Sequence, residues 1–316
     1  MANATSNSPQ VTDKQTIFLT SLPDDVLIEI ASRSTKAAAE NLAHTHNRQL
    51  FTLWCQQNLL TRLLNHVALG EQDEAEKILK TRPDLLLFKG NLQDHAGRDF
   101  THITAFQYAL WALDWHMWKM ILKYLPRDEA AKQLQELETN STAHGTHFDL
   151  NPLITALNNY IAYNSVQPSQ YWCKEINDKQ HLVPAHVAQE YCRTDRSFDL
   201  HGNPPTFDED ILPRNLGVYR SAPYTVPYYG FDTVYGQSVC DTSWFGSTEK
   251  LGVKCAYYRA SLPNAWSRFG EGTAAWTKLA GFDSTALFAL RQTRHSQFLA
   301  LKQELLSSSP VKKIRH

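Results

Sequence analysis

Four side chains in one stretch carry the right atoms for a metal: Cys173, His181, His186 and Cys192. Zinc is held by a tetrahedron of nitrogen and sulfur donors, and structural sites take paired ligands from positions about two to five residues apart. The intervals here are eight, five and six residues, so only His181 and His186 approach that spacing. No metal or other cofactor is expected. A second chemistry would be nucleophilic attack by a thiolate with a histidine as base. Cys240, followed by Asp241 in an aromatic setting, is the best nucleophile, with His201 or His295 as its base. No motif surrounds it, and a free cysteine is commonly a small buried hydrophobe. Glu209 with Asp210, and Arg193 with Arg196, read as solvated charge. Gly270, Glu271 and Gly272 lack the strand-to-helix context of a phosphate cradle. These residues favour a protein that binds over one that catalyses, and a Cys-dependent enzyme is the alternative.

Composition narrows the partners. Among 316 residues, 31 basic and 32 acidic side chains leave a formal charge of −1, without the cationic surface that nucleic acid or an acidic membrane requires. With 42% hydrophobic residues, 8 Trp, 13 Tyr and 14 Phe, the chain has ample material for a core. Five scattered cysteines, an odd number, read as reduced thiols of a cytoplasmic protein. No apolar run reaches the roughly 18 residues of a membrane span, and Met1 to Thr16 show neither the basic nor the apolar region of a secretory signal.

The elements that must position any site fall into five stretches. Residues 1–16 are a polar lead-in and 307–316 a basic tail, both expected to be loose. Sequence of helical period, poor in Gly and Pro, occupies 17–60 and 61–164, with an interruption near 138–150. From 165 the chain turns aromatic and rich in proline, and segments such as 224–231 and 232–236 suit short strands or ordered loops. From Ala286 to Leu306 the helical period returns through Leu287, Leu290, Phe298, Leu301 and Leu305. The expected class is mainly α, closing with an aromatic-rich α+β or loop-rich region at 165–306.

The sharpest short motif lies near the start. Ser21 and Asp24 suit a helix cap, Pro23 suits a first turn, and Val26, Leu27 and Ile30 then form an apolar stripe. A second apolar helix carries Leu42, Leu50, Phe51, Leu53 and Trp54. Over residues 18–58 this pattern resembles an F-box: the Leu22, Pro23 opening, the Asp25, Val26, Leu27 core with Ile30 one turn later, and the Leu50 to Trp54 helix end. The middle, from Ser32 to Ala39, departs from the family pattern. The resemblance implies docking on the Skp-type adaptor of a cullin ubiquitin ligase, with Leu22, Pro23, Val26, Leu27, Ile30, Leu50, Phe51, Leu53 and Trp54 as apolar contacts. The plainer reading is an amphipathic helical hairpin that packs on the rest of the chain.

Two helix pairs follow. Residues 63–79 read as helix, Gly70-centred turn and helix, with Ala75, Ile78 and Leu79 on the buried side; Thr104 to Ala109 and then Met117, Ile121 and Leu122 repeat the theme. Thr104 to Ala109 resembles the opener of an ankyrin repeat, with Ala105 and Gln107 in place of its Pro and His. A third unit opens loosely at Asn151, Pro152 and Leu153. The resemblance implies a divergent ankyrin-like array over 61–164, whose units bury their apolar faces only by stacking. The alternative is a plain helical bundle. Trp111, Trp115 and Trp118, at spacings of four and three, place large aromatics on one helical face. That face reads first as core, and as a target-binding stripe in the alternative.

Taken together, the segments resemble F-box and ankyrin-type effectors that intracellular bacteria inject into the host cytoplasm. The expected function is that of an adaptor, which joins the ligase to an unidentified target protein and has no catalytic residue of its own; the alternative is a secreted effector whose C-terminal domain is a Cys-dependent enzyme or binds a host protein without any role in ubiquitin transfer.

Overall fold

The computed structural model describes residues 48–163, 171, 175–180, 182–191, 198, 205–214 and 273–307. Leu22, Pro23, Val26, Leu27 and Ile30 lie outside these residues. The chain divides into two compact units, Met1–Asn58 and Leu59–His316. Of the first unit, the described part is the helical stretch 48–58, which carries Leu50, Phe51, Leu53 and Trp54 and begins helix α1 (Arg48–Ala68). One helix therefore runs through position 60, where the sequence reading places a boundary.

The second unit is mainly α among its described residues. After α1 come α2 (Gln72–Thr81), a 3-10 turn at Pro83–Leu87, and an antiparallel hairpin of β1 (Gly90–Gln93) and β2 (Asp99–Ile103). Then follow α3 (Ala105–Trp111), α4 (Trp115–Ile121), α5 (Arg127–Asn140), α6 (Asn151–Tyr163), α7 (Asn177–Gln180), α8 (Ala185–Tyr191) and α9 (Thr273–Ser307).

Local chemistry sets these boundaries. Helix α2 starts with Asp73 and Glu74 at the positive end of its dipole and ends with Lys80 at the negative one. Its Ala75, Ile78 and Leu79 are buried as their spacing predicts. In the hairpin, the Asp94 carboxylate accepts the backbone N–H groups of Ala96 and Arg98 and the Nε of Arg98. Arg98 in turn lies over the rings of Trp111 and Phe148, 4.8 and 5.2 Å from their centroids. Helix α3 opens with a capping box, in which the Thr104 hydroxyl accepts the Gln107 N–H and the Gln107 side chain accepts that of Thr104. The same hydroxyl donates to Gln133 at 2.6 Å, and Gln133 donates to the Leu86 carbonyl at 2.9 Å. This buried chain of hydrogen bonds ties α3 to α5 and to the 3-10 turn.

The tryptophans correct the expectation of a single helical face. Trp111 closes α3 and Trp115 opens α4, because Asp114 caps a new helix by accepting the Met117 N–H at 3.1 Å. Trp111 and Trp118 are fully buried, which removes both from any target-binding surface, and Trp115 is half-buried.

Two apolar cores result. The first joins α1 to α5 and the hairpin, and the second joins α6, α8, Phe198 and Phe207. Helix α9 serves both: Ala286, Leu287 and Leu290 enter the second core, while Phe298, Leu301 and Leu305 enter the first. The period read from Leu287 to Leu305 is thus one face that crosses from one core to the other.

Candidate functional site

Where the two cores meet, charged and polar side chains are buried in one place. Asp114 comes from the α3–α4 turn, His116 from α4, His186, Gln189 and Glu190 from α8, Arg214 from the segment 205–214, and Arg294 from α9. Asp114, His116, His186, Gln189, Glu190 and Arg294 are each at most 5% exposed.

A buried charge is tolerated only when paired and hydrogen-bonded, and the partners here are specific. The Arg214 guanidinium grips Asp114 with both amino groups, at 2.7 and 2.9 Å. It also donates to Gln189 Oε1 at 2.8 Å and to Gln72 Oε1, at the start of α2, at 3.2 Å. Arg294 donates to the Phe207 carbonyl at 2.6 Å, to Gln297 at 3.0 Å and to Glu190 at 3.1 Å. His116 Nε2 meets the Glu209 carbonyl at 2.7 Å, so that nitrogen carries the proton and donates. Outside the cluster, His95 at the hairpin tip meets the Val183 carbonyl at 2.8 Å and fastens the hairpin to the segment before α8.

These neighbours set the protonation states. Burial alone would raise the Asp114 carboxyl, but the Arg214 fork, with His186 and His116 nearby, holds it far below the ordinary carboxylate range. Burial, helped by Arg294, pushes His116 down to about 4 despite the opposing pull of Asp114. Burial also pushes His186 well below the usual histidine range, with Arg294 and Arg214 adding to it. At neutral pH Asp114 is therefore ionised, and the His116 and His186 imidazoles are uncharged.

Gly70, in the α1–α2 turn, lets these elements approach. Its φ is +68°, and a Cβ there would lie 3.0 Å from Ala185 Cβ, 3.0 Å from Arg214 Nη1 and 3.1 Å from Gln189 Nε2. Gly70→Ala should cost about 2–4 kcal/mol of folding free energy, from left-handed backbone strain and crowding together. Urea denaturation measures it, and a loss under about 1 kcal/mol would contradict this packing.

The other residues considered for chemistry separate. Cys173, His181 and Cys192 lie outside the described residues, and His186 belongs to the ionic cluster. Among the described residues no group of three potential ligands could hold a metal ion. Cys240, Asp241, His201, Arg193, Arg196 and residues 270–272 also lie outside them. His295 is exposed on α9, and exposed Asp210 pairs with Lys119 at 2.8 Å.

Arg214, Arg294 and Gln189 escape a reading by motif, since partners of Arg214 stand 25, 100 and 142 residues away. One signal was available. Arg294 stands on the same face as Leu287, Leu290, Phe298 and Leu301, so a cation interrupts an otherwise apolar stripe.

Over 291 aligned residues, 82% of this chain and 79% of the relative, the sequence is 31% identical to the uncharacterized protein CBUA0006 of Coxiella burnetii (strain RSA 493 / Nine Mile phase I). The chain belongs to the CBUA0006 family. A family model described as the CBUA0006 C-terminal domain matches residues 150–305, a span that holds α6, α7, α8 and nearly all of α9. No solved structure matches the chain. The CBUA0006 C-terminal domain therefore supplies His186, Gln189, Glu190, Arg214 and Arg294, while Gln72, Asp114 and His116 come from the helices that precede it. No helix among the described residues is long and apolar enough to cross a membrane.

Proposed function

We propose that this member of the CBUA0006 family is a substrate-recruiting adaptor, in which the F-box-like segment docks a Skp-type subunit of a cullin ubiquitin ligase. The helical pairs and the C-terminal domain hold the target protein. The observation that supports this most is the division of the chain between Asn58 and Leu59, close to the end of the F-box-like segment. Compact units of one chain can carry separate partners.

Stacked helical pairs offer the extended kind of surface that grips proteins. Tying those pairs to the C-terminal domain through the Asp114–Arg214 and His116–Glu209 contacts gives the second unit a defined shape on which to orient a target. On this reading the protein supplies proximity and orientation alone, and it works in the cytoplasm of a host cell. The chemistry would rest with the ligase.

The test is a pull-down with a purified Skp-type adaptor. Wild type should bind, and Leu22→Ala/Pro23→Ala, checked for folding by circular dichroism, should bind at least about tenfold more weakly, because apolar anchors dominate such docking. No binding by the wild type would end the adaptor reading. Equal binding by both proteins would move the contact away from Leu22 and Pro23.

A further inference from the structure

We propose that the buried cluster is a pH-sensitive latch between the helical pairs and the CBUA0006 C-terminal domain, closed while His116 and His186 are neutral and released when they take up protons.

The geometry carries this. His116 is 4% exposed and His186 1% exposed, and the Nδ1 atom of each is buried without a hydrogen-bond partner. A proton placed on either Nδ1 would thus be a buried donor without an acceptor. The surroundings add to that cost. His116 faces Asp114 on its own turn, Arg294 on α9, Arg214, Glu209 and Asp210 on the 205–214 segment, and His186 on α8. Lys119 and Glu190 stand one step further, paired with Asp210 and Arg294. His186 faces Asp114, Arg294, Arg214 and His116. The two carboxylates deepest in the cluster are already committed to the two guanidinium groups, so an imidazolium would meet cations whose partners are taken.

The backbone is set the same way on both sides of the seam. Leu113, just before Asp114, has φ +57°, and Phe207, whose carbonyl receives Arg294, has φ +60°. Left-handed backbone at residues with a Cβ is strained and persists only where the surroundings enforce it. Release of the seam frees the Leu113 turn, which the Asp114–Arg214 pair holds across it.

The direction with pH is fixed by linkage. Above the ordinary histidine range neither the closed nor the opened seam binds these protons, so the latch is at full strength. Below that range the opened form binds them and the closed form does not, down to about pH 4 for His116; acid therefore favours opening. Asp114 stays ionised throughout and supplies no compensating change.

Hydrogen–deuterium exchange on the full chain tests the latch, at about pH 7.5 and pH 5 with intrinsic rates corrected. Wild type should lose at least about tenfold protection at 113–121 and 185–191 on acidification, while 127–140 keeps its own. His116→Gln/His186→Gln, in which the amide at 116 still donates to the Glu209 carbonyl, should lose little. Equal protection of the wild type at both pH values would overturn the proposal, as would the same acid loss in the double variant. If the double variant does not fold, each single variant should take up about one proton fewer on opening; a wild-type pH dependence in both would overturn it equally.

Discussion

Asp114→Asn is expected to lower the unfolding free energy by about 3–5 kcal/mol, the range for an ion left without its partner in a protein interior. Asparagine keeps an oxygen to cap Met117, so the loss reports the charge and not the cap. What remains is the Arg214 guanidinium, half of whose bonds went to Asp114 and whose neighbour Arg294 is also a cation. Arg214→Met should cost a similar amount, since it strands the carboxylate instead. The double variant should cost far less than the sum of the two, with a coupling of about 2–3 kcal/mol. Urea denaturation of the four proteins reads this directly. Simple additivity, or a loss below about 1 kcal/mol for Asp114→Asn, would show that water reaches the pair.

Trp111→Ala is the second large expectation, at about 3–5 kcal/mol. The Trp111 ring lies 4.6 Å from Phe100, 5.6 Å from Tyr108 and 5.9 Å from Phe148, centroid to centroid, and carries the Arg98 guanidinium on its face. Its Nε1 donates to the His144 carbonyl at 3.3 Å, and its own carbonyl receives the Phe148 N–H at 2.8 Å. Alanine would leave a cavity that the hairpin, α3 and the 141–150 connection all border, and would remove the surface on which Arg98 rests. Trp111→Phe keeps most of the ring contact and should cost about 1–2 kcal/mol, chiefly the lost hydrogen bond and volume. Equal losses for the two variants would mean that the ring stack contributes little.

How far the sequence foretells this structure depends on the range of the signal. Helix α9 was legible because Leu287, Leu290, Phe298, Leu301 and Leu305 repeat at a local period, and α2 likewise through Ala75, Ile78 and Leu79. The tryptophans misled because spacings of four and three fit a continuous helix, whereas the capping aspartate between Trp111 and Trp115 breaks it in two. An aspartate three residues before a backbone N–H it can accept is itself a readable start signal. The ionic cluster was illegible for a different reason. Its members come from five stretches of chain, and single residues that meet only through tertiary packing leave no spacing to read. His186 stands among possible zinc donors in the sequence, yet nothing local pairs it, or His116, with Asp114.

Helix α9 has a bearing on how the chain is made. Synthesis runs from the amino end, so α1 to α5 leave the ribosome long before Phe298, Leu301 and Leu305, which complete their core, with Phe298 beside Trp118 and His147. Until the last turns emerge, that core stays open on one side, and its apolar lining is available to chaperones. A transcript truncated shortly before codon 298 would therefore disable the first-made helices as well as the last.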